Sequence, residues 1–222
     1  MFNMVSMLIY ILQLLHIKNK LYYVMELFHK ITFVPRFIRQ AFYEPFNKLM
    51  FKSAGASIGR NFRVRNRFYL KLYPKATLTI GNDFTVHSGE AINPITRNIK
   101  GCFFINGGAC LNIGNNVGMS SPTIWCDEKI IIGNNVRIGA LVTILDTDCH
   151  SLNYVDRMTG DKETKTKPVV IEEGVLIGAQ SIVLKGSRIG AHSVIGAGSV
   201  VCGDIPANCI AAGNPCKVIR NL

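Results

Sequence analysis

Asp148 and His150 are the carboxylate and histidine that lie closest together in the sequence, and such a pair could carry out acid–base chemistry. The acid can hold the imidazole in one tautomer and stabilise the imidazolium once it has taken a proton, which suits a general base. A surface histidine beside a turn-capping aspartate has the same spacing, so both interpretations stay open. Cys149 is an improbable partner for His150, because adjacent residues of an extended segment point to opposite faces.

The other candidate ligands and nucleophiles are scattered. His16, His29, His87 and His192 form no cluster, and the cysteines show no CxxC pair or metal-ligand spacing. We therefore expect no metal and no disulfide framework, which favours a reducing, cytoplasmic compartment. Six cysteines fall in apolar or turn contexts and are expected to be small buried residues: Cys102, Cys110, Cys126, Cys202, Cys209 and Cys216.

A six-residue repeat follows the reactive pair and indicates the element that positions it. This spacing does not fit a helix and is too sparse for an alternating strand, so it predicts a coiled β repeat. If three units close one triangular coil, residues 18 apart stack, and glycines 178, 190 and 196 fit its corners. A conventional β-sandwich is the weaker alternative. The aliphatic positions are Ile171, Ile177, Val183, Ile189, Ile195 and Val201, and the small ones are Ser181, Ser187, Ser193 and Ser199.

The repeat is interrupted where the reactive pair lies. Upstream units recur at Ile132, Ile138 and Ile144, at Ile113, and more weakly at Ile80/Val86 and Ile58/Val64. Residues 87–110 are poorly periodic and predict a distorted coil with a loop. The interval from Ile144 to Ile171 is not a multiple of six, which predicts a polar loop over 149–168, with His150 at its start.

The positive charge is concentrated in the N-terminal third. The net charge is +11, and residues 1–75 hold 13 Lys/Arg against two Glu, again +11, so the rest is neutral. The apolar run 5–17 is too short to span a bilayer and lacks the features of a signal peptide. Pro35 and Pro45 delimit a further short predicted helix. Nucleic-acid binding is not favoured, because the chain shows no binding motif.

Residues 1–54 are therefore predicted to form a helical, basic and apolar appendage to a β domain over 55–222. Two interpretations of the appendage stay open. It is either an interfacial helix on an anionic bilayer, with membrane contact through 1–52, or a helical cap on the β domain or a neighbouring subunit.

Residues 55–220 resemble the hexapeptide-repeat acyltransferases. The closing stretch IGAHSVIGAGSVVCGDIPANCIAAGNPCKVIR is similar to the last coils of galactoside and maltose O-acetyltransferases. The resemblance implies an all-β fold, a left-handed parallel β-helix with an N-terminal α-helical appendage. The handedness comes from the resemblance alone, since parallel crossovers are generally right-handed.

The resemblance also implies roles for individual residues. His150 lies where the family carries its catalytic histidine, which takes a proton from an acceptor hydroxyl that attacks the acyl-CoA thioester directly. Ser120 and Ser121 replace an asparagine-bearing segment that binds the sugar in the galactoside enzyme. The positions implied for CoA are Ala179 and Ala197 along the pantetheine arm, with Cys202, Gly203, Lys217 and Arg220 toward the nucleotide.

The expected function is therefore acetyl-CoA-dependent O-acetylation of a sugar hydroxyl by a homotrimer. A surface-polysaccharide precursor, lipid-linked at the inner membrane face, is the expected acceptor. Two alternatives stay open: a transferase for a non-sugar acceptor such as an antibiotic or serine, and a non-catalytic β-helix scaffold.

Overall fold

The computed structural model describes residues 20, 22–23, 38–89 and 92–222. The chain divides into two compact units, residues 1–41 and 42–222. In the first unit the described residues are helical. The apolar run 5–17 and the helical pattern of 21–31 lie outside the described residues, apart from Tyr22 and Tyr23. The domain boundary after residue 54 stays a prediction. Within the described part of the chain, no helix is long and apolar enough to cross a membrane.

The described part of helix α1 covers residues 38–53 and continues through Pro45, so the predicted helix end at this proline is wrong. Proline removes one backbone hydrogen bond from a helix, and tertiary contacts of the following turns offset that loss. Asn47 Nδ2 donates to the carbonyls of Val64 and Asn66, both at 2.8 Å. Phe51 is fully buried among other phenylalanine rings. Residues 42–53 therefore cap the first turn of the β domain.

The β domain is a parallel β-helix of seven coils, of which the first six pass through three sheets in the order A, B, C. The last coil ends in sheet B, where β21 pairs antiparallel with β20. Sheet A contains β1 Ser57–Ile58, β4 Thr77–Ile80, β7 Cys110–Ile113, β10 Lys129–Ile132, β13 Val169–Ile171, β16 Arg188–Ile189 and β19 Asp204–Ile205. Sheet B contains β2 Arg63–Arg65, β5 Thr85–His87, β8 Gly118–Ser120, β11 Arg137–Ala140, β14 Leu176–Ile177, β17 Val194–Ile195, β20 Cys209–Ala212 and β21 Lys217–Asn221. Sheet C contains β3 Phe68–Leu72, β6 Gly101–Ile105, β9 Thr123–Cys126, β12 Thr143–Leu145, β15 Ile182–Val183 and β18 Val200–Val201.

The predicted stacking at 18-residue intervals is confirmed. Register pairs Ile171 with Ile189, Ile177 with Ile195, and Val183 with Val201. The weaker upstream units are also confirmed, since β1 pairs with β4 and β2 with β5 in register. The repeat's aliphatic residues and its four serines are almost completely buried. This aliphatic column is the core of the domain, and the serine hydroxyls donate to carbonyls at the turns.

The three rows of turns between the sheets are called edges AB, BC and CA, after the sheets that they join. Edge AB is built from asparagines whose side chains accept from the backbone of the preceding coil. Asn82 Oδ1 accepts from Arg60 N, Asn115 Oδ1 from Asn82 N, and Asn134 Oδ1 from Asn115 N, at 2.7–2.8 Å. The next residue in these turns is Asp83, Asn116 or Asn135, and it has a positive φ, which aspartate and asparagine tolerate. The repeated Gly-Asn-Asp/Asn sequence therefore forms a ladder that holds the first four coils in register.

Two long loops leave this regular framework. One leaves edge BC in the second coil, and its described residues, 88–89 and 92–100, contain the 3₁₀ turn Pro94–Thr96, as the poor periodicity of this segment predicts. Residues 146–168 leave edge CA in the fourth coil, which confirms the predicted interruption. This loop also contains helix α2, Tyr154–Thr159, which the sequence analysis did not predict.

Candidate active site

His150 is held by an aspartate from the far side of its own loop. Its Nδ1 atom lies 2.5 Å from Asp161 Oδ2, while its side chain is 72% exposed. The backbone N–H of Ser151 donates to the other oxygen of the same carboxylate. These two contacts fix the imidazole through Nδ1 and leave Nε2 as the nitrogen that can exchange a proton with a substrate.

Short-range contacts hold the loop that carries this pair. Asn153 caps α2 by accepting from Val155 N at 2.9 Å, and Arg157 Nη1 donates to Ser151 O at 2.6 Å. The pKa of Asp161 is lowered by the hydrogen bond from Ser151 N, by the hydrogen bond and charge of His150, and by the charge of Arg157. Asp161 is therefore an anion at neutral pH, which favours a proton on the imidazole nitrogen that faces it.

The structure does not place Asp148 against His150. Its Oδ2 atom instead lies 2.9 Å from Lys185 Nζ in the next coil, and its backbone N donates to Lys165 O at 3.0 Å. An isolated bridge between Thr147 and Thr166 closes the base of the loop beside it. Asp148 therefore fastens the loop to the β-helix, and Asp161 occupies the place beside the imidazole that spacing had suggested for Asp148.

Asp146 is a second carboxylate that sequence reasoning missed. It is completely buried and accepts hydrogen bonds from Asp127 N at 2.7 Å and Glu128 N at 2.9 Å. Cys126 Sγ lies 3.4 Å from its Oδ2, and burial together with this anion raises the pKa of the Cys126 thiol. Asp146 therefore fixes the turn at the base of the loop 146–168. The only sequence signal was its position immediately after a strand of the repeat.

Edge BC carries the two alanines that the resemblance assigns to CoA. Ala179 and Ala197 occupy equivalent turns of the fifth and sixth coils, and Gly198 N donates to Ala179 O at 2.9 Å. A Cβ on Gly178 would lie 2.4 Å from Ala197 N, so the coils can stack this closely only with glycine there. No described residue accepts a hydrogen bond from the N–H of either alanine. Both donors are therefore available to a ligand lying along this edge.

The remaining CoA candidates do not form one cluster within the chain. Cys202 and Gly203 lie on edge CA of the sixth coil, whereas Lys217 and Arg220 lie on β21, the last strand of sheet B. Cys202 is exposed, so its predicted burial is wrong, because the residue follows the last inward position of its strand. Of the other five cysteines expected to be buried, Cys126 and Cys209 are buried and three are partly buried. All seven are free thiols.

Ser120 and Ser121 lie at edge BC of the third coil. Ser120 Oγ lies 3.3 Å from Asn93 Nδ2, whereas Ser121 is buried and accepts from Gly89 N at 2.8 Å. Ser121 therefore anchors the loop 88–100, and Ser120 is the serine that a ligand can reach. It lines a cavity of about 350 Å³ on the outer face of sheet B, together with His87 and Arg137 among others. Burial and Arg65 lower the pKa of His87, which favours its neutral form.

No group of three or more possible metal ligands occurs within the described residues. Cys149 is exposed, and burial of its sulfur, with the charges of Asp127 and Asp148, raises the pKa of its thiol. A raised pKa disfavours the thiolate that a nucleophilic cysteine needs. Cys149 therefore does not have the environment of a nucleophile.

Comparisons with known proteins agree with this architecture. The family model "Bacterial transferase hexapeptide (six repeats)" matches residues 168–203. A Saccharomyces cerevisiae protein named as an acetyltransferase, YJL218W, is 35% identical to this chain. The match covers 72% of this chain and 83% of the yeast protein. Galactoside O-acetyltransferase of Lactococcus lactis is 43% identical over 54% of this chain, and the match spans 58% of that enzyme's length. The crystal structure of the hexapeptide-repeat acetyltransferase VCA0836 from Vibrio cholerae covers 81% of both chains at 25% identity, with a TM-score of 0.52.

The fold and these relatives together define a β-helix protein of the acetyltransferase type. The chain belongs to the bacterial transferase hexapeptide family, and its parallel β-helix is the left-handed one of that family.

Proposed function

We propose that the protein is an acetyl-CoA-dependent O-acetyltransferase that acts on a sugar hydroxyl, with His150 as the general base. The observation that carries this proposal is the short contact between His150 Nδ1 and Asp161 at the start of an exposed loop. This contact leaves Nε2 to take the proton of an acceptor hydroxyl. As that proton leaves, the hydroxyl oxygen bonds to the acyl carbon, and the carbon–sulfur bond of the thioester breaks. The same proton then goes to the departing thiolate, so no covalent enzyme intermediate is needed.

Asp161 acts as a positioning residue in this reaction. Its carboxylate keeps the imidazole oriented and stabilises the imidazolium that exists while the proton is on Nε2. The lowered pKa of Asp161 suits this role, because the charge is then present throughout the neutral range. Asp148 contributes indirectly, through the ion pair with Lys185 that fastens the loop.

A complete site would use two copies of the chain. His150 follows β12 on edge CA, whereas Ala179, Ala197 and Ser120 lie on edge BC, at the opposite side of sheet C. In a ring of subunits whose C sheets face the symmetry axis, edge CA of one subunit would meet edge BC of the next. This geometry supports the proposed homotrimer, with three sites between subunits.

The outer face of sheet C has the composition of an interface. Phe104 stacks on Trp125 with ring centroids 4.1 Å apart, and Tyr69 is 50% exposed. In the described strands Lys71 is the sole charged residue on this face, and depletion of charge with aromatic enrichment is typical of interface cores. The outward residues of this sheet are Tyr69, Lys71, Cys102, Phe104, Thr123, Trp125, Thr143, Leu145, Ile182 and Val200.

The positions along edge BC give the proposed order of the substrates. Ala197 and Ala179 in the sixth and fifth coils would hold the pantetheine arm, so the thioester would lie near the fourth coil, which also carries His150. Ser120 and Asn93 in the third and second coils would then meet the acceptor. The cavity beside them is lined by neutral hydrogen-bonding groups, by the charged side chains of Asp83 and Arg137, and by the apolar side chain of Leu176, a combination that suits a sugar ring.

The test is acetyl transfer from acetyl-CoA to a panel of glycosides, measured by release of free thiol. We expect His150→Ala to lower kcat by roughly 10²–10⁴-fold while the oligomer remains folded. Unchanged turnover in this variant would contradict the assignment. Acetylation of an aminoglycoside or of serine instead of glycosides would favour a non-sugar acceptor. Absence of CoA binding by calorimetry, together with an inert His150, would favour a non-catalytic scaffold.

A further inference from the structure

We propose that the outer surface of α1 over residues 42–53, at the N-terminal end of the β-helix, binds the surface of an anionic lipid bilayer. The inner side of this segment is occupied, because Asn47 and Phe51 bury against the first coil. Its outer side carries an apolar ridge of Phe42, Phe46 and Leu49, spaced at i, i+4 and i+7. These side chains are 60%, 48% and 65% exposed.

The ridge is ordered and apolar rather than a set of isolated side chains. Phe42 and Phe46 stack with ring centroids 5.7 Å apart and an interplanar angle of 15°, and Tyr43 meets Phe46 edge to face. A helix that exposes an apolar face outward needs something to cover it, because ridges of this kind are normally buried.

Cationic side chains border both sides of the ridge. Lys48 and Lys52 are exposed on one flank, one helical turn apart. On the other flank Arg67 Nε donates to Tyr43 Oη at 2.9 Å, which holds its guanidinium beside the aromatic rings. Glu44 is 3.0 Å from Arg65 and is neutralised by it. Over residues 42–71 seven Lys/Arg face one Glu, a balance of 7 − 1 = +6.

The charge pattern identifies the occupant. A central apolar ridge flanked by lysine and arginine is the arrangement with which helices lie at the interface of anionic membranes. The aromatic rings would enter the boundary between headgroups and acyl chains, and the cations would meet lipid phosphates. A second copy of the chain would bring two surfaces of the same strong positive charge together, which disfavours self-association through this end.

Binding through this surface would set the orientation of the β-helix on the bilayer and so the position of its site, an inference that rests on the proposed function. Successive coils are about 4.8 Å apart, so the fourth coil with His150 would lie roughly 15 Å beyond the first. The acceptor end, with Asn93 and Ser120, is the part of the site nearest to the bilayer. In a trimer with parallel subunits, three such surfaces would face the same membrane. A sugar carried on a lipid through phosphate groups is the acceptor class that this placement fits.

The experiment is co-sedimentation of the full chain with vesicles of phosphatidylcholine containing phosphatidylglycerol, against vesicles of phosphatidylcholine alone. We expect binding to the anionic vesicles only, weakening as salt is raised. Lys48→Gln combined with Lys52→Gln should weaken it roughly 25-fold, since a lysine near an anionic surface contributes about fivefold. Phe42→Ser combined with Phe46→Ser should weaken it at least as much. The matched charge control, Lys129→Gln with Lys165→Gln, should bind like the wild type.

Equal binding by the α1 variants and the wild type would place any lipid contact elsewhere in the chain and overturn the proposal. So would equal binding to both vesicle types, or an altered oligomeric state of the α1 variants in analytical ultracentrifugation, which would indicate a second copy as the occupant. The assay contains no acetyl-CoA, so His150→Ala should bind vesicles normally. A wild-type chain that binds neither vesicle type but acetylates a soluble glycoside would refute the lipid surface while the proposed function stands.

Discussion

His150 Nδ1 and Asp161 Oδ2 lie 2.5 Å apart across the loop that interrupts the fourth coil, although the two residues are eleven positions apart in sequence. The aspartate nearer in sequence, Asp148, contacts Lys185 instead. The spacing in the sequence had suggested that Asp148 orients the imidazole. Asp161 orients the histidine, and Asp148 fastens the loop.

The first prediction compares the two aspartates. Asp161→Asn should lower kcat at least about tenfold, with little change in KM for acetyl-CoA, because the imidazole loses its anionic partner. Asp148→Asn should have a smaller effect on kcat and should mainly loosen the loop. Steady-state kinetics measure the first effect, and limited proteolysis of residues 149–168 the second. A larger loss of kcat in Asp148→Asn would return the orienting role to Asp148.

The second prediction concerns pH. The folded structure lowers the pKa of Asp161 below its ordinary value of 3.8, chiefly through the Ser151 N–H and then His150. A lowered carboxyl pKa contributes stability that is present above the ordinary value and is lost as the pH falls through the lowered one. The melting temperature of the wild type should therefore exceed that of Asp161→Asn at neutral pH, and the gap should close in acid. A gap that is constant with pH would contradict this linkage.

The third prediction tests the close stacking of the coils at edge BC. Gly178→Ala places a Cβ 2.4 Å from Ala197 N, so the fifth and sixth coils must separate. We expect a loss of roughly 1–3 kcal/mol in the free energy of unfolding, measured by urea denaturation at fixed protein concentration. Gly203→Ala is the matched control, because a Cβ there meets nothing within 4 Å. Equal stability of the two variants would show that the edge can relax.

The fourth prediction tests the map of the CoA site. Cys202 and Cys149 are the exposed thiols, whereas Cys126 and Cys209 are buried. If CoA lies beside Cys202, saturating CoA should slow alkylation of Cys202 by iodoacetamide, and peptide mass spectrometry can follow each thiol separately. Cys202→Ala should retain CoA binding by calorimetry. Unchanged alkylation of Cys202 at saturating CoA would remove it from the proposed site.

The repeat made most of the fold predictable, because in a β-helix the residues that stack are a fixed number of positions apart. Ile171 and Ile189 could be paired from the sequence alone, and the break after Ile144 located the loop. Helix α2 was missed because its exposed residues carry no apolar periodicity, and its start depends on the local cap of Asn153. The helix through Pro45 was missed because its stability comes from Asn47 and Phe51 contacts with the first coil.

The sequence by itself determined the coiled β architecture, the position of the interruption and the place of His150 at its start, because each depends on local spacing. Only the tertiary structure decided which carboxylate faces His150, since Asp161 reaches it through the fold of an irregular loop. It also decided that His150 and the alanines Ala179 and Ala197 lie on opposite edges of sheet C, and that Cys202 is exposed. These relationships depend on how successive coils and loops meet in space, and the repeat spacing carries no information about that.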